Sequence, residues 1–390
     1  MKVLMINVVC GIRSTGRICT DLATELEKQG HEVKIAYGRE QVPQRFQKYA
    51  VRIGSDFDVK LHGIKARVLD AAGFGSKRAT EKFIKWVKEY DPDVIHLHNI
   101  HGYYINVEIL FQYLKTCGKK IIWTLHDCWS FTGHCAYFDY VNCSKWKTRC
   151  KNCSQKTEYP SRIGPDRSKQ NYLLKKELFT GIKKMVLVTP SQWLAGLISE
   201  SYMREYPTAV IYNGIDTQTF KPMKSGVKER YGCRDKKIVL GVAAVWDKRK
   251  GLGSFIELAK HLDCSYQIIL VGVSQKQIEK LPPNIIGIER TNSVEELAEL
   301  YTAADVFVNP TLEDNYPTTN IEAIACGTPV ITYETGGSPE SAKMYGVSVH
   351  KKNIAGLVKA ITNISKIKPG EIDIDYKSTV QKYIELYEEI

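Results

Sequence analysis

The stretch from residue 309 to residue 340 most constrains the fold, because it alternates apolar runs with loops in a fixed order. The apolar run Ala303–Val308 leads into this stretch and ends at Asn309-Pro310, where a loop begins. A helix-like segment then covers Thr318–Ala325. A second apolar run, Val330–Tyr333, ends at the glycine pair Gly336 and Gly337. This order is typical of a parallel α/β unit, in which ligands bind beyond the carboxyl ends of the strands. Both loops lie at that end, where backbone N–H groups at helix starts favour a phosphate.

Two acids in this stretch, Asp314 and Glu322, are eight positions apart, and Gly327-Thr-Pro329 follows them. The pattern resembles the signature of glycosyltransferase family 4, whose members have the GT-B fold. That signature is an acid, seven residues, a glutamate, Gly-x-Pro-Val and a Gly-Gly loop. Family members usually have Glu-Gly-Phe-Gly at the first acid, whereas this chain has Asp-Asn-Tyr-Pro. The alternative is an ordinary α/β crossover with its acids on a solvated helix.

The length of 390 residues suits two domains. The resemblance implies an α/β architecture of two Rossmann-like domains that face across a cleft. We expect an acceptor-side domain over 1–220, with a cysteine-rich insertion at about 128–160. A nucleotide-sugar domain would cover 221–372, and the final helix, 373–390, would cross back onto the first domain. An amphipathic pattern in the last residues favours that helix.

Composition and charge narrow the class further. Hydrophobic residues make up 43% and charged residues 25%, which is typical of a globular chain. No apolar run approaches the ~20 residues of a membrane-spanning helix. The start of the chain predicts a buried strand rather than a signal peptide, so we expect a cytoplasmic protein.

The net charge is +12, and residues 145–184 carry twelve basic and three acidic residues. Such a face could meet nucleic acid, anionic lipid headgroups or a diphosphate-linked acceptor, although a solvated lysine-rich helix explains it equally well.

In the first half, glycine and histidine residues follow predicted strands. Gly16 lies in the loop after the first strand, where the family's backbone approaches the ligand. A later strand ends in His96, His98 and His101. A metal site is the less favoured interpretation of these histidines, because no acid or cysteine stands at matching spacing nearby. Leu125-His126-Asp127 resembles the family's Thr-x-His-Asp, whose histidine faces the reacting sugar. A histidine that only caps its strand is the alternative.

The resemblance also assigns the donor site. Lys250 before Gly251 matches the family's Lys-Gly pair that grips the diphosphate, and Arg249 would replace the family's arginine, whose position Val245 occupies. A solvated basic turn is the alternative. Asp314 would bind sugar hydroxyls and Glu322 the ribose. The remaining donor-binding residues that we predict are Arg290, Asn315, Tyr316, Pro317, Thr318, Gly336 and Gly337.

The implied function is retaining transfer of a sugar, of hexosyltransferase type, from a UDP- or GDP-sugar to a glycan or polyprenyl-diphosphate-linked acceptor. The expected setting is synthesis of a cell-surface polysaccharide such as capsule or lipopolysaccharide. The basic stretch at 145–184 could contact anionic lipid at the inner face of the cell membrane, and no nucleic acid partner is expected. Catalysis should not need a metal, since no Asp-x-Asp is clearly placed to hold Mg²⁺ at the phosphates. The alternatives are a nucleotide-sugar 2-epimerase on the same fold and a non-catalytic nucleotide-binding module.

Four of the eleven cysteines lie close together, at Cys135, Cys143, Cys150 and Cys153. The Cys-x-x-Cys pair is typical of tetrahedral sulfur ligation, so the sequence predicts a structural zinc site in a segment with little apolar core of its own. His134 could replace one cysteine. Buried free cysteines and paired disulfides are the other interpretations.

Overall fold

A computed structural model describes residues 1–370 and 372–390. It divides into two compact units, one formed by 1–212 together with 380–390 and the other by 213–379. The break at residue 212 precedes the predicted boundary at residue 220, because the segment after Tyr212 pairs with the second unit. Ile215 N–H donates to the Ile374 carbonyl at 2.8 Å. The structure therefore assigns residues 213–220 to the second unit.

The first unit is built on a seven-stranded parallel sheet in the order β3-β2-β1-β4-β5-β6-β7. Its central strands are buried on both faces, as continuous apolar runs such as Val3–Ile6 predict. The strands are β1 (Lys2–Ile6), β2 (Glu32–Tyr37), β3 (Ala50–Arg52), β4 (Val94–Leu97), β5 (Lys120–Thr124), β6 (Met185–Thr189) and β7 (Thr208–Val210).

Helices connect these parallel strands, as crossovers between parallel neighbours require. They are α1 (Arg13–Lys28), α2 (Asp56–Leu69), α3 (Lys77–Tyr90), α4 (Val107–Thr116), α5 (Ser168–Phe179) and α6 (Gln192–Ser199). Helices α2 and α3 were not predicted from the sequence. Ser55 begins α2 with a capping box, since its hydroxyl accepts from Asp58 N–H while Asp58 accepts from Ser55 N–H.

The second unit holds a six-stranded parallel sheet in the order β10-β9-β8-β11-β12-β13. Its strands are β8 (Lys237–Val242), β9 (Tyr266–Val271), β10 (Ile285–Ile288), β11 (Val306–Asn309), β12 (Val330–Tyr333) and β13 (Gly346–Val349). The helices that come after β7 in the chain are α7 (Val227–Arg230), α8 (Leu252–Leu258), α9 (Gln275–Ile278), α10 (Val294–Ala303), α11 (Thr318–Ala325), α12 (Ser338–Ala342), α13 (Ile354–Thr362) and α14 (Tyr376–Glu389). Helix α11 and strand β12 have the bounds that the sequence predicted.

The final helix, α14, returns to the first unit, because two tyrosines on its apolar face are buried there. Tyr383 Oη lies 3.1 Å from Thr124 Oγ1, and Tyr387 Oη lies 2.7 Å from His96 Nδ1. Both rings are almost completely buried. The predicted return of the last helix is confirmed.

The cysteine-rich insertion has more apolar packing than its polar sequence predicted. Trp146 is buried, and its ring centroid lies 4.9 Å from Phe138 and 5.3 Å from Phe131. These aromatic side chains extend the core of the first unit, so the expectation of little apolar core was wrong.

None of the helices described for residues 1–370 and 372–390 is long and apolar enough to cross a membrane.

Candidate functional site

Three loops of the second unit meet at one edge of its sheet, because they follow the neighbouring strands β8, β11 and β12. The loop after β8 and the loop after β11 are packed directly together. Leu312 N–H donates to the Arg249 carbonyl at 2.7 Å. Gly251 has φ +82°, and a Cβ there would lie 2.1 Å from the Pro310 carbonyl oxygen, so this contact requires glycine. The close approach fixes the basic loop after β8 against the acidic loop after β11.

Lys250 and Asp314, predicted separately for the diphosphate and the sugar, form an ion pair. Lys250 Nζ lies 2.6 Å from Asp314 Oδ2, and the two side chains are 26% and 14% exposed. Arg249 lies in the same loop and is half-buried, with Nε 3.9 Å from Asp247 Oδ2. The pair leaves a cation and a carboxylate at the carboxyl edge of the sheet, and both remain in contact with solvent.

Glu322 is buried in α11, only 5% exposed, and is held by a tyrosine that the sequence analysis did not single out. Tyr301 in α10 donates its hydroxyl to Glu322 Oε2 at 3.0 Å. This contact orients the carboxylate. The signal available in the sequence is the capping-box pattern Ser293-Val-Glu-Glu296, which predicts a helix that includes Tyr301, but this pattern does not reveal which side chain the tyrosine contacts.

A buried polar network connects α11 to the Gly-Gly loop. Asn320 Nδ2 donates to Ser338 Oγ at 3.2 Å and to Ser341 Oγ at 2.9 Å. Gly336 has φ +55°, and Gly337 directly precedes α12. The hydroxyl of Thr335, just before the glycines, is buried with no hydrogen-bond partner among the described residues. An unpaired buried hydroxyl beside a glycine loop is a feature that a bound ligand would relieve.

The remaining predicted donor residues lie in two places. Asn315 and Tyr316 are buried in the loop after β11, followed by Pro317 and then Thr318 at the start of α11. Asn315 N–H donates to Asp314 Oδ1 at 3.0 Å. Arg290 follows β10 and is exposed. Strand β10 is two positions from β8 in the sheet order, so Arg290 is at the same edge but is not among the three adjacent loops.

In the first unit, three histidines form a buried network. His96 Nε2 lies 2.8 Å from Thr124 Oγ1, and His98 Nδ1 lies 3.0 Å from His126 Nε2. Burial lowers the pKa of His126 to about 4 and that of His96 to about 3. Both imidazoles are therefore neutral at pH 7, and His126 can exchange hydrogen bonds there without carrying a charge.

His101, the third histidine at the end of the predicted strand, lies beside this network in a pairing that was not predicted. His101 Nε2 lies 2.8 Å from Asp127 Oδ2, and His101 Nδ1 lies 2.9 Å from the hydroxyl of Tyr159. Burial alone would raise the pKa of Asp127, but the imidazole of His101 and the Trp129 N–H outweigh it and lower that pKa. The cysteine-rich insertion thus contributes Tyr159 to a hydrogen-bonded Asp–His pair.

Gly16 lies elsewhere than the sequence predicted. It is inside the first turn of α1, and a Cβ there would lie 3.0 Å from Val9 Cγ2 and 3.2 Å from Gly11 N. Gly11 N–H also donates to the Gly16 carbonyl at 3.1 Å. The glycine therefore allows close packing within its own loop. Its predicted contact with a ligand stays a prediction.

The architecture defines a class, an α/β protein with two parallel sheets and a charged site after adjacent strands. Comparison with known proteins gives the family. The family description "Glycosyltransferase Family 4" matches residues 15–219, and "Glycosyl transferases group 1" matches residues 236–366. The chain belongs to glycosyltransferase family 4, which confirms the predicted recognition and the predicted enzyme class.

Relatives extend the match over almost the whole chain. WcaC of Escherichia coli K12, whose name proposes a glycosyl transferase of colanic acid biosynthesis, is 25% identical over 92% of this chain and 90% of its own length. An N-acetylgalactosaminyltransferase of Campylobacter jejuni, named for N,N'-diacetylbacillosaminyl-diphospho-undecaprenol, is 27% identical over 45% of this chain and 53% of its own. The crystal structure of Anabaena HepE with UDP-glucose is 14% identical, covers all of both chains and has a TM-score of 0.66. This likeness supports the GT-B fold.

Proposed function

We propose that this glycosyltransferase transfers a sugar from a nucleoside-diphosphate sugar to a glycan or lipid-linked acceptor, with retention at the anomeric carbon, in the synthesis of a surface polysaccharide. The observation that carries the proposal is the Lys250–Asp314 ion pair at the carboxyl edge of the sheet, with the buried carboxylate of Glu322 in the helix that follows. Ligands of open α/β sheets bind at this edge. The relatives support the setting: one is named for colanic acid synthesis and another for a polyprenyl-diphosphate-linked glycan.

In this proposal the groups of the second unit divide the donor between them. Lys250, with Arg249 in the same loop, stabilises the charge that grows on the departing diphosphate. The backbone N–H groups of Gly336 and Gly337 and the unpaired hydroxyl of Thr335 bind phosphate oxygens. Asp314 accepts hydrogen bonds from sugar hydroxyls, and Glu322, held by Tyr301, accepts them from the ribose.

The anomeric configuration is retained if the acceptor attacks the sugar on the same face from which the diphosphate leaves. The leaving phosphate then accepts the proton of the acceptor hydroxyl, so no protein nucleophile is required. His126 is neutral at pH 7 because its pKa is lowered by burial, so it can orient a sugar hydroxyl without adding charge beside the developing positive charge on the ring.

A panel of nucleotides tests the donor assignment. We expect UDP or GDP, and the matching nucleotide sugar, to raise the melting temperature of the protein. A ligand at 100 times its dissociation constant stabilises the folded state by about 2.7 kcal/mol. No shift with any uridine or guanosine diphosphate would contradict the proposal. Consumption of a nucleotide sugar with water as the only acceptor, and with an altered sugar configuration, would favour the 2-epimerase instead.

A lipid-linked acceptor implies contact with a membrane, and helix α2 offers a surface for it. Its residues Phe57, Leu61, Ile64 and Val68 recur at helical spacing, and they are 72%, 56%, 60% and 44% exposed. Such a row of exposed apolar side chains is unusual on a globular protein. The predicted basic stretch is a weaker candidate, because its Arg162 and Lys175 are buried and donate to backbone carbonyls.

We therefore expect Ile64→Ser to weaken binding to vesicles rich in anionic phospholipid. Burial of an isoleucine side chain contributes about 1.5–3 kcal/mol, so the partition coefficient should fall by roughly tenfold or more. Co-sedimentation with the vesicles measures this. The matched control is Leu173→Ser in α5, which removes an apolar side chain that is 47% exposed and lies within the basic stretch. Equal binding by the Ile64 variant and wild type would exclude α2 as the contact surface.

A further inference from the structure

A buried histidine outside the proposed site has an unsatisfied nitrogen. The imidazole of His134 is 3% exposed, and its Nδ1 lies 2.5 Å from Asp70 Oδ1. Its Nε2 has no hydrogen-bond partner among the described residues. A buried polar atom without a partner destabilises the folded state unless a ligand satisfies it. A histidine whose first nitrogen is held by a carboxylate, while its second is left for another ligand, has the arrangement of most metal-bound histidines.

The carboxylate that holds His134 is itself fixed. Asp70 Oδ2 accepts from Arg167 N–H at 2.8 Å and lies 3.9 Å from Arg162 Nε. Asn171 Nδ2 also donates to the Asp70 carbonyl at 2.6 Å. Asp70 therefore sets the tautomer of His134, because its carboxyl oxygen accepts a hydrogen bond from Nδ1–H and leaves Nε2 with its lone pair.

The imidazole of His134 has the cysteine cluster as its neighbour. His134 lines one small cavity together with Cys135, Cys143, Cys150 and Cys153. The cavity volume is about 20 Å³, which is space for a single ion or water. The four cysteines that the sequence grouped by spacing are therefore brought together in space, and His134 lines the same cavity.

A backbone N–H group and a buried lysine lie beside the cysteine cluster. Gly133 N–H donates to Cys150 Sγ at 3.3 Å, and a Cβ at Gly133 would lie 2.0 Å from the Ser168 carbonyl oxygen, so the loop needs glycine to bring this N–H to the sulfur. Lys175 is buried nearby, with Nζ 2.7 Å from the Trp129 carbonyl and 3.1 Å from the carbonyl of Thr132, a cavity-lining residue. A charged lysine at this position would offset the negative charge of a thiolate cluster.

We propose that this cavity binds one structural zinc ion. Cys143, Cys150 and Cys153 would supply three thiolates, and either His134 or the adjacent Cys135 would complete the tetrahedron. Soft sulfur ligands with an imidazole in four-coordinate geometry favour zinc. As the side chains stand, no group of three or more His, Cys, Asp or Glu residues within 1–370 and 372–390 is arranged to hold a metal. Binding therefore requires the side chains that line the cavity to turn towards its centre.

The zinc site would affect the first unit beyond the insertion itself. Arg162 Nη2 donates to the Cys153 carbonyl at 3.2 Å, and Gln155 Nε2 donates to the Tyr137 carbonyl. Between these anchors, Tyr159 reaches His101. A metal at Cys150 and Cys153 would thus fix the segment that places the tyrosine hydroxyl on the His101–Asp127 pair.

The test is the metal content of the full-length protein purified without chelator. We expect about one zinc per chain by elemental analysis, as for a closed four-ligand site. Cys150→Ser should lose the zinc, whereas the matched control Cys117→Ser, a half-buried cysteine outside the cluster, should keep it. Replacement of zinc by cobalt should give the intense thiolate-to-cobalt absorption of a tetrahedral site.

The fourth ligand is identified by comparing His134→Gln with Cys135→Ser, since only the variant that removes a ligand should lose zinc. If the Cys150 variant fails to fold, release of zinc from wild-type protein by a thiol-blocking reagent provides the same test. Metal-free wild-type protein, a disulfide between two of the four cysteines in the intact mass, or full zinc retention by Cys150→Ser would each overturn the proposal.

Discussion

Replacing Lys250 with alanine should lower kcat by roughly 10²–10³, the cost of removing one preorganised group that stabilises transition-state charge. The affinity for the donor should fall much less. Negative charge on the diphosphate increases as the glycosidic bond breaks, so a fixed cation binds the transition state more tightly than the substrate. Initial rates at saturating donor, with donor affinity from calorimetry, separate the two effects.

Lys248→Ala is the matched control for this prediction, because it removes the same charge from an exposed position two residues earlier in the loop. It should keep most of the activity. A rise in KM alone for Lys250→Ala would show that the lysine contributes uniform binding. The Asp314→Asn variant adds a further check, since it removes the partner carboxylate 2.6 Å from Lys250 Nζ while the lysine remains.

Replacing Glu322 with glutamine should weaken binding of the cognate nucleoside diphosphate by roughly ten- to a hundredfold. Hydrogen bonds to a charged group contribute about 1.5–3 kcal/mol, and the ribose hydroxyls would lose a carboxylate acceptor. Folding stability should stay close to that of wild type, since the amide oxygen can still accept from Tyr301. Calorimetric titration and thermal unfolding of the same samples give both quantities.

Glu322→Ala should differ, because the hydroxyl of Tyr301 would remain buried without its acceptor. We expect a loss of about 1–3 kcal/mol in the free energy of unfolding in addition to weaker binding. Tyr301→Phe is the control that removes the donor and leaves the carboxylate. Unchanged nucleotide affinity in Glu322→Gln would mean that this glutamate does not bind the ribose.

The bounds of helices and strands were predicted most accurately where the functional motif and a clear hydrophobic pattern lie in the same stretch. Helix α11 and strand β12 have their predicted bounds, because the loop residues on either side end each element and the apolar run fits a buried parallel strand. The resemblance assigned Asp314 and Glu322 from one fixed spacing, and their contacts with the donor stay predictions. The family match then needed only the order of the motifs along the chain.

The contacts that complete the site were beyond such reasoning. The pairing of Lys250 with Asp314 joins residues 64 apart and depends on β8 lying beside β11, which is a property of strand order. The contact of His134 with Asp70 likewise joins residues 64 apart. The exposure of the apolar row on α2 was equally beyond prediction. An apolar stripe on a helix normally indicates the side turned to the core, whereas this row faces solvent.

The most direct test of the proposed chemistry is the anomeric configuration of the product. The protein should be incubated with the nucleotide sugar that raises its melting temperature and with a polyprenyl-diphosphate-linked or glycan acceptor, and the transfer followed by nuclear magnetic resonance. The account predicts release of one nucleoside diphosphate for each sugar transferred, with the anomeric configuration of the donor retained in the product, and loss of both signals in Lys250→Ala. An inverted product, or transfer that is unaffected by the loss of Lys250, would contradict it.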